Sequence, residues 1–206
     1  TLLYAMLWLG GVISYLFLGA APADTEWAAP AFLGVAMLRV FMSVPPSEWI
    51  MLMAVGIAAF VAELLGVYTG FPFGTYSYTD VLYPQLAGVP VPIACAWIIL
   101  FAYVHRMLSG RIRSPRWFPF VGAAWMVALD LLIDPLAAGP LGYWRWQHAG
   151  LYCGIPVTNF LGWFLVSLVL FASARRIPRP GGAGIWIGLS VVAFFTVIAF
   201  GRAVWP

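Results

Sequence analysis

Three carboxylates sit where carboxylates are costly. Glu63, Asp130 and Asp134 all lie within long apolar runs. An acidic side chain in a membrane segment is rare and by default marks function. Burial and a neighbouring carboxylate both favour the protonated form of such a group. A protonated Asp or Glu can act as a general acid. The plain alternative is structural: Glu63 or Asp130 would tie helices together through Tyr, Trp or Asn159, and Asp134-Pro135 would only mark a helix end, since Asp-Pro favours a turn.

Aromatic residues crowd the two segments next to these acids: Phe71, Phe73, Tyr76, Tyr78 and Tyr83 in one, Tyr143, Trp144, Trp146 and Tyr152 in the other. Such residues form interfacial belts in many membrane proteins. They can also wall a cavity and stabilise a cation through their ring faces. A carboxylic acid beside aromatic walls suits a carbocation reaction: the acid protonates a carbon–carbon double bond, and the rings hold the positive centre until it is quenched. His148, in the second segment, is within reach of such a site, whereas His105, beside Arg106 at a helix end, reads as a surface contact. One loop histidine without a partner at metal spacing is weak evidence for a ligand, and no metal site is predicted.

The two segments follow one plan. Gly74-x-Tyr76-x-Tyr78 corresponds to Gly142-x-Trp144-x-Trp146, Gly88-Val89-Pro90 to Gly154-Ile155-Pro156, and Trp97 to Trp163. The offset is 68 residues at the first pair and 66 at the other two. This spacing predicts a duplicated helix–loop–helix unit, with copies over about 48–108 and 117–174, in a single integral membrane domain.

Composition sets the class. Apolar residues make up 64% of the 206 and charged residues 8%, against about 25% in a soluble domain. Apolar runs near the length that crosses ~30 Å of hydrocarbon recur throughout. The predicted fold is all-α: a polytopic membrane helix bundle of about seven transmembrane helices, near 2–20, 30–44, 48–68, 89–108, 117–136, 157–174 and 183–204. Ser47 is a candidate N-cap for the third. The net charge of +3 comes from Arg in short loops, which argues against nucleic acid as a partner. Cys95 reads as a packing residue and no disulfide is expected. The chain begins at Thr1 rather than Met, as a trimmed sequence would, and shows no cleavable signal pattern.

Arg106, Arg111, Arg113 and Arg116 follow the fourth helix; Arg175, Arg176 and Arg179 follow the sixth. Arg excess marks that side as cytoplasmic. The predicted N-terminus is then inside, with the C-terminus and both aromatic loops outside. Helices three and five run the same way, so Glu63, Asp130 and Asp134 fall at similar depth and would converge if those helices were neighbours.

At this point the motifs resemble a known family. Glu63, Pro72-Phe73-Gly74-x-Tyr76-x-Tyr78, Gly88-Val89-Pro90 and Trp97 are similar to those of the carotenoid biosynthesis membrane protein family. So are Asp130, Asp134-Pro135, Trp144-x-Trp146, Gly150-x-Tyr152-x-Gly154-Ile155-Pro156, Asn159-Phe160 and Gly162-Trp163. The characterised members are carotenoid 1,2-hydratases of the CruF type, bisanhydrobacterioruberin hydratases among them. The resemblance implies addition of water across the terminal 1,2 double bond of an acyclic ψ end group. The partners it implies are a polyene resembling lycopene or γ-carotene and the lipid bilayer; whether other carotenoid enzymes hand the polyene along stays open. No redox cofactor or metal is implied. Catalytic expectations fall on Glu63, Asp130 and Asp134, with Asp130 or Glu63 as acid and Asp134 as its partner or the group that orients water. Substrate-lining expectations fall on Phe73, Tyr76, Tyr78, Asp80, Trp144, Trp146, Tyr152 and Asn159.

Two rivals stand beside this. A lycopene-type cyclase begins with the same protonation and closes a ring instead of admitting water. A carotenoid-binding or proton-coupled transport protein would perform no chemistry, although a parallel duplication is less usual for carriers. A retinal Schiff base is disfavoured because the chain has no Lys.

Overall fold

The computed structural model describes residues 1–19, 22, 24–174 and 184–204; Arg175, Arg176 and Arg179 of the second basic loop lie outside the described residues. The chain forms α1 (Leu2–Ile13, continued by a π-turn over Ser14–Leu18), α2 (Ala28–Ser43), α3 (Trp49–Thr69), α4 (Val91–Ser109), α5 (Trp117–Ala138), α6 (Val157–Ala174) and α7 (Gly184–Val204). Among the described residues, Pro46–Thr69, Val91–Ser109, Trp117–Ala138, Val157–Ala174 and Ile185–Ala203 are long and apolar enough to cross a membrane; Leu2–Leu18 and Ala28–Ser43 are shorter. The protein is an all-α membrane helix bundle.

Local chemistry explains where the helices stop. Pro45 and Pro46 end the approach to α3, and Ser47 lies inside a short 3-10 turn (Pro46–Glu48) rather than capping the helix. At the far end Gly70 turns left-handed (φ +75), and its N–H closes on the Gly66 carbonyl at 2.8 Å. A glycine takes that conformation without the steric cost of a Cβ. Proline serves the opposite purpose at α4, where Pro92 occupies the first turn, whose N–H groups have no intrahelical partner.

Asp134-Pro135 does not end α5: the helix continues to Ala138 with Pro135 inside it. Proline offers no N–H to the carbonyl four residues back. Here that carbonyl belongs to Leu131, and it accepts the Tyr152 hydroxyl at 3.0 Å. The backbone group freed by the proline is thus satisfied from the following loop.

α4 is the central helix, buried continuously from Trp97 to Arg106 and packed against α2, α3, α5 and α7. A helix that is apolar all round belongs in the middle of a bundle. α6 lies against α5 and touches α3. Its exposed residues Val157, Leu161, Leu165 and Val169 recur every fourth position, and Ile50, Ile57, Val61 and Leu65 form a similar outward stripe on α3. These are the faces a bilayer covers. His105 is not at the surface as expected: it is buried, its ring stacked with Phe101 and edge-on to Phe118.

The aromatic loops are not structureless. Tyr76–Tyr78 forms β1, Gln85–Leu86 β2, Val89–Pro90 β3 and Trp144–Trp146 β4. β1 and β4 pair antiparallel, with Tyr76 opposite Trp146, Ser77 opposite Arg145 and Tyr78 opposite Trp144; β2 and β3 form a hairpin. The first and last positions of the two matched motifs therefore cross-pair. The glycines of Gly88-Val89-Pro90 and Gly154-Ile155-Pro156 share left-handed φ values of +77 and +81. Val89 and Ile155, which follow them, are both fully buried.

Candidate active site

A cavity of about 90 Å³ lies between the β1–β4 pair and helices α3 to α6. It is smaller than the ~150 Å³ apolar cavity that accepts benzene. The wall is mostly apolar, with Glu63, Asp134 and Asn159 supplying carboxyl and amide groups.

α3 brings Glu63 to the wall on its buried face. Its Oε2 accepts the Tyr76 hydroxyl at 2.5 Å and the Tyr78 hydroxyl at 2.8 Å, and its Oε1 accepts Trp97 Nε1 at 3.0 Å. Tyr76 and Tyr78 stand two apart on β1, so the strand pleat sends their side chains to the same face. Both hydroxyls accordingly reach one oxygen, with the rings 5.5 Å apart and nearly perpendicular. Burial, then the adjacent Glu63 carboxyl, holds both phenols above the usual tyrosine range, which keeps them as donors. Gly66, one turn beyond Glu63, leaves the room: a Cβ there would stand 2.8 Å from the Tyr76 hydroxyl oxygen.

α5 carries the second acidic group. Asp134 Oδ1 accepts Trp144 Nε1 at 2.7 Å. Asn159 Nδ2, from α6, donates at 2.7 Å to Asp134 Oδ2 and at 2.7 Å to Asp130 Oδ2. One amide nitrogen thus bridges two carboxyl groups on successive turns of α5. Asp134 lines the cavity, whereas Asp130 stands outside its lining, buried on the bridging amide. Asp130 Oδ1 is buried without a hydrogen-bond partner.

Of the residues singled out in the sequence, Glu63, Asp134, Phe73, Tyr76, Tyr78, Trp144, Trp146 and Asn159 all line the cavity. Asp80 and Tyr152 do not: Asp80 is exposed on the loop, and Tyr152 braces α5 from outside. His148 borders a shallow outer groove with Phe71, Pro72 and Thr158. α3 and α5 converge through α4 and α6, the principal neighbours of both, and not by direct packing.

Trp97 and Trp163 carry no site role in the sequence reading, where they are repeat landmarks and family-motif residues, yet both line the cavity and they stack at 4.2 Å with an interplanar angle of 17°. Their matched positions were the available signal. Leu33 of α2 and Val191 and Phe195 of α7 complete the wall. Nothing in their sequence context marks them, since each is one apolar residue in an apolar helix.

Residues 28–203 match the model of the carotenoid biosynthesis protein family. The chain belongs to that family. A bisanhydrobacterioruberin hydratase from Haloarcula japonica is 32% identical over 140 residues, covering 64% of this chain and 47% of that protein. The chain therefore spans about half the length of the curated relative it matches. No solved structure matches it. For this member of the carotenoid family the match reaches from α2 to the end of α7 and so includes every residue of the cavity wall.

Proposed function

We propose that this protein is a carotenoid hydratase that adds water across the terminal 1,2 double bond of an acyclic ψ end group. The observation that carries the reading is the pairing of Glu63 and Asp134 within one small cavity walled by tyrosine and tryptophan rings. The hydratase relative supports the same class of reaction.

Asp134 is the acid in this reading, because it lines the cavity and Asp130 does not. Asp130 is tied to it through Asn159, whose amide donates to both carboxyl groups. The proton goes to C2, the double-bond electron pair forms the new C–H bond, and a tertiary cation remains at C1. Glu63, with donors on both oxygens, serves as the fixed counter-charge. The ring faces of Trp97, Trp163 and Tyr76 supply cation–π stabilisation. Water then bonds to C1 and returns one proton to Asp134, so the net change is one added water.

The polyene stays in the bilayer and inserts only its end, since the cavity is too small for a whole polyene. The Arg-rich segment after α4 lies on the cytoplasmic side, the N-terminus with it, and the β1–β4 pair faces the opposite side.

Expression in a lycopene-producing bacterial host, with pigments analysed by mass spectrometry, tests this. A product heavier by one water, lost in Asp134→Asn, is expected. An isomer of unchanged mass would replace the hydratase with a cyclase, and untouched lycopene and γ-carotene would remove both.

A further inference from the structure

The matched aromatic positions of β1 and β4 behave alike at three points and differ at the fourth. Tyr76 and Tyr78 donate to Glu63, and Trp144 donates to Asp134. Trp146, the counterpart of Tyr78, stands on the same cavity wall as Asp134. Its indole Nε1 is buried and meets no acceptor at hydrogen-bonding geometry. A buried indole N–H without a partner costs stability. Indole can only donate, so whatever completes this group must accept.

Its surroundings narrow the candidates. Trp146 lines the cavity beside Asp134 and stands directly opposite Tyr76 in the strand pair, ring centres 5.1 Å apart. The Tyr76 hydroxyl donates to Glu63 and keeps a lone pair to accept with. An acceptor from Trp146 that also donates to Asp134 and Tyr76 has the hydrogen-bond pattern of one water molecule. Two to four polar partners are what a buried water requires.

We propose that Trp146 Nε1 and Asp134 seat the water that captures the cation, making Trp146 a positioning residue for the nucleophile. This rests on the hydratase reading and adds a division of labour to it. Protonation at C2 needs the carboxyl group alone. Capture at C1 also needs the indole N–H, which holds the water oxygen while Asp134 takes its proton as the C–O bond forms. A cation with no water in place can only lose a proton, giving back the alkene or a double-bond isomer.

The two steps can be read separately in deuterated water with lycopene as the probe. Protonation followed by proton loss leaves deuterium in unhydrated carotenoid; capture gives the hydrated product. Trp146→Phe keeps a ring in the wall and removes the N–H. The benzothiophene analogue of tryptophan at position 146 keeps the full shape and guards against a folding failure of the phenylalanine variant. In both, the ratio of hydrated to deuterated unhydrated carotenoid is expected to fall by about tenfold or more while deuterium incorporation persists. A wild-type ratio in the analogue overturns the water seat and leaves the hydratase reading intact. So does a parallel loss of deuterium and hydration in the analogue. A wild-type protein that yields neither product removes the hydratase reading, and this assignment with it.

Discussion

Trp97 and Trp163 lie face to face with ring centres 4.2 Å apart, and Trp97 turns its N–H onto Glu63. The stack joins α4 to α6 at the centre of the bundle. It fixes the direction of one indole N–H and with it one oxygen of the carboxyl group. Residues 66 apart in the chain thus meet as one wall of the cavity.

Asn159 is the bridge whose loss should be felt twice. Asn159→Ala removes the amide from both Asp130 and Asp134. Leaving buried acceptors unsatisfied costs about 1–3 kcal/mol. A lowered melting temperature in detergent and at least a tenfold loss of hydrated product per folded protein are expected. Asn159→Leu should do no better, because shape is not what the two carboxyl groups lack.

Two glycines predict opposite signs. A Cβ at Gly66 would stand 2.8 Å from the Tyr76 hydroxyl oxygen and 2.9 Å from the Phe73 ring, whereas a Cβ at Gly34 meets nothing within 4 Å. Gly66→Ala should destabilise by roughly 1–3 kcal/mol through overpacking and weaken the Tyr76–Glu63 bond. Gly34→Ala, in the interior of α2, should stabilise by about 1 kcal/mol. Thermal unfolding of the two variants side by side checks the contrast.

Tyr152 separates bracing from substrate contact. Its hydroxyl serves the Leu131 carbonyl that Pro135 leaves open, and its side chain does not line the cavity. Tyr152→Phe should cost about 1 kcal/mol of stability with the product profile unchanged. An altered product at full stability would put Tyr152 back among the substrate contacts.

Alkaline pH should act through Tyr78. Burial and Glu63 raise its folded pKa above the unfolded value. The unfolded chain therefore releases a proton from about pH 10, near the reference tyrosine value, while the folded protein keeps it. Stability linked to this group is complete below that pH and is lost as pH rises beyond it. Melting temperatures measured from neutral to strongly alkaline pH should fall more steeply for the wild type than for Tyr78→Phe, which has nothing to titrate.

The sequence by itself determined the class of fold and pointed to the carboxyl groups and several of the aromatic rings of the cavity wall. Long apolar runs interrupted by Gly, Pro and Arg leave little choice but a helix bundle in a membrane, because the backbone must satisfy its own hydrogen bonds there. Carboxylates in those runs stood out because hydrocarbon makes them costly, and Tyr76, Tyr78, Trp144 and Trp146 stood out because the pattern occurs twice. Tertiary structure decided the rest. Two three-residue strands carry too short a pattern to read, so the pairing of Tyr76 with Trp146 was invisible in the chain. Asp130 and Asp134 share a helix face by their spacing, yet only the packing of α6 puts Asn159 between them and leaves Asp134 alone on the wall. Leu33, Val191 and Phe195 reach the cavity only because α2 and α7 pack around α4, and one apolar residue among many carries no mark of which neighbour it will meet.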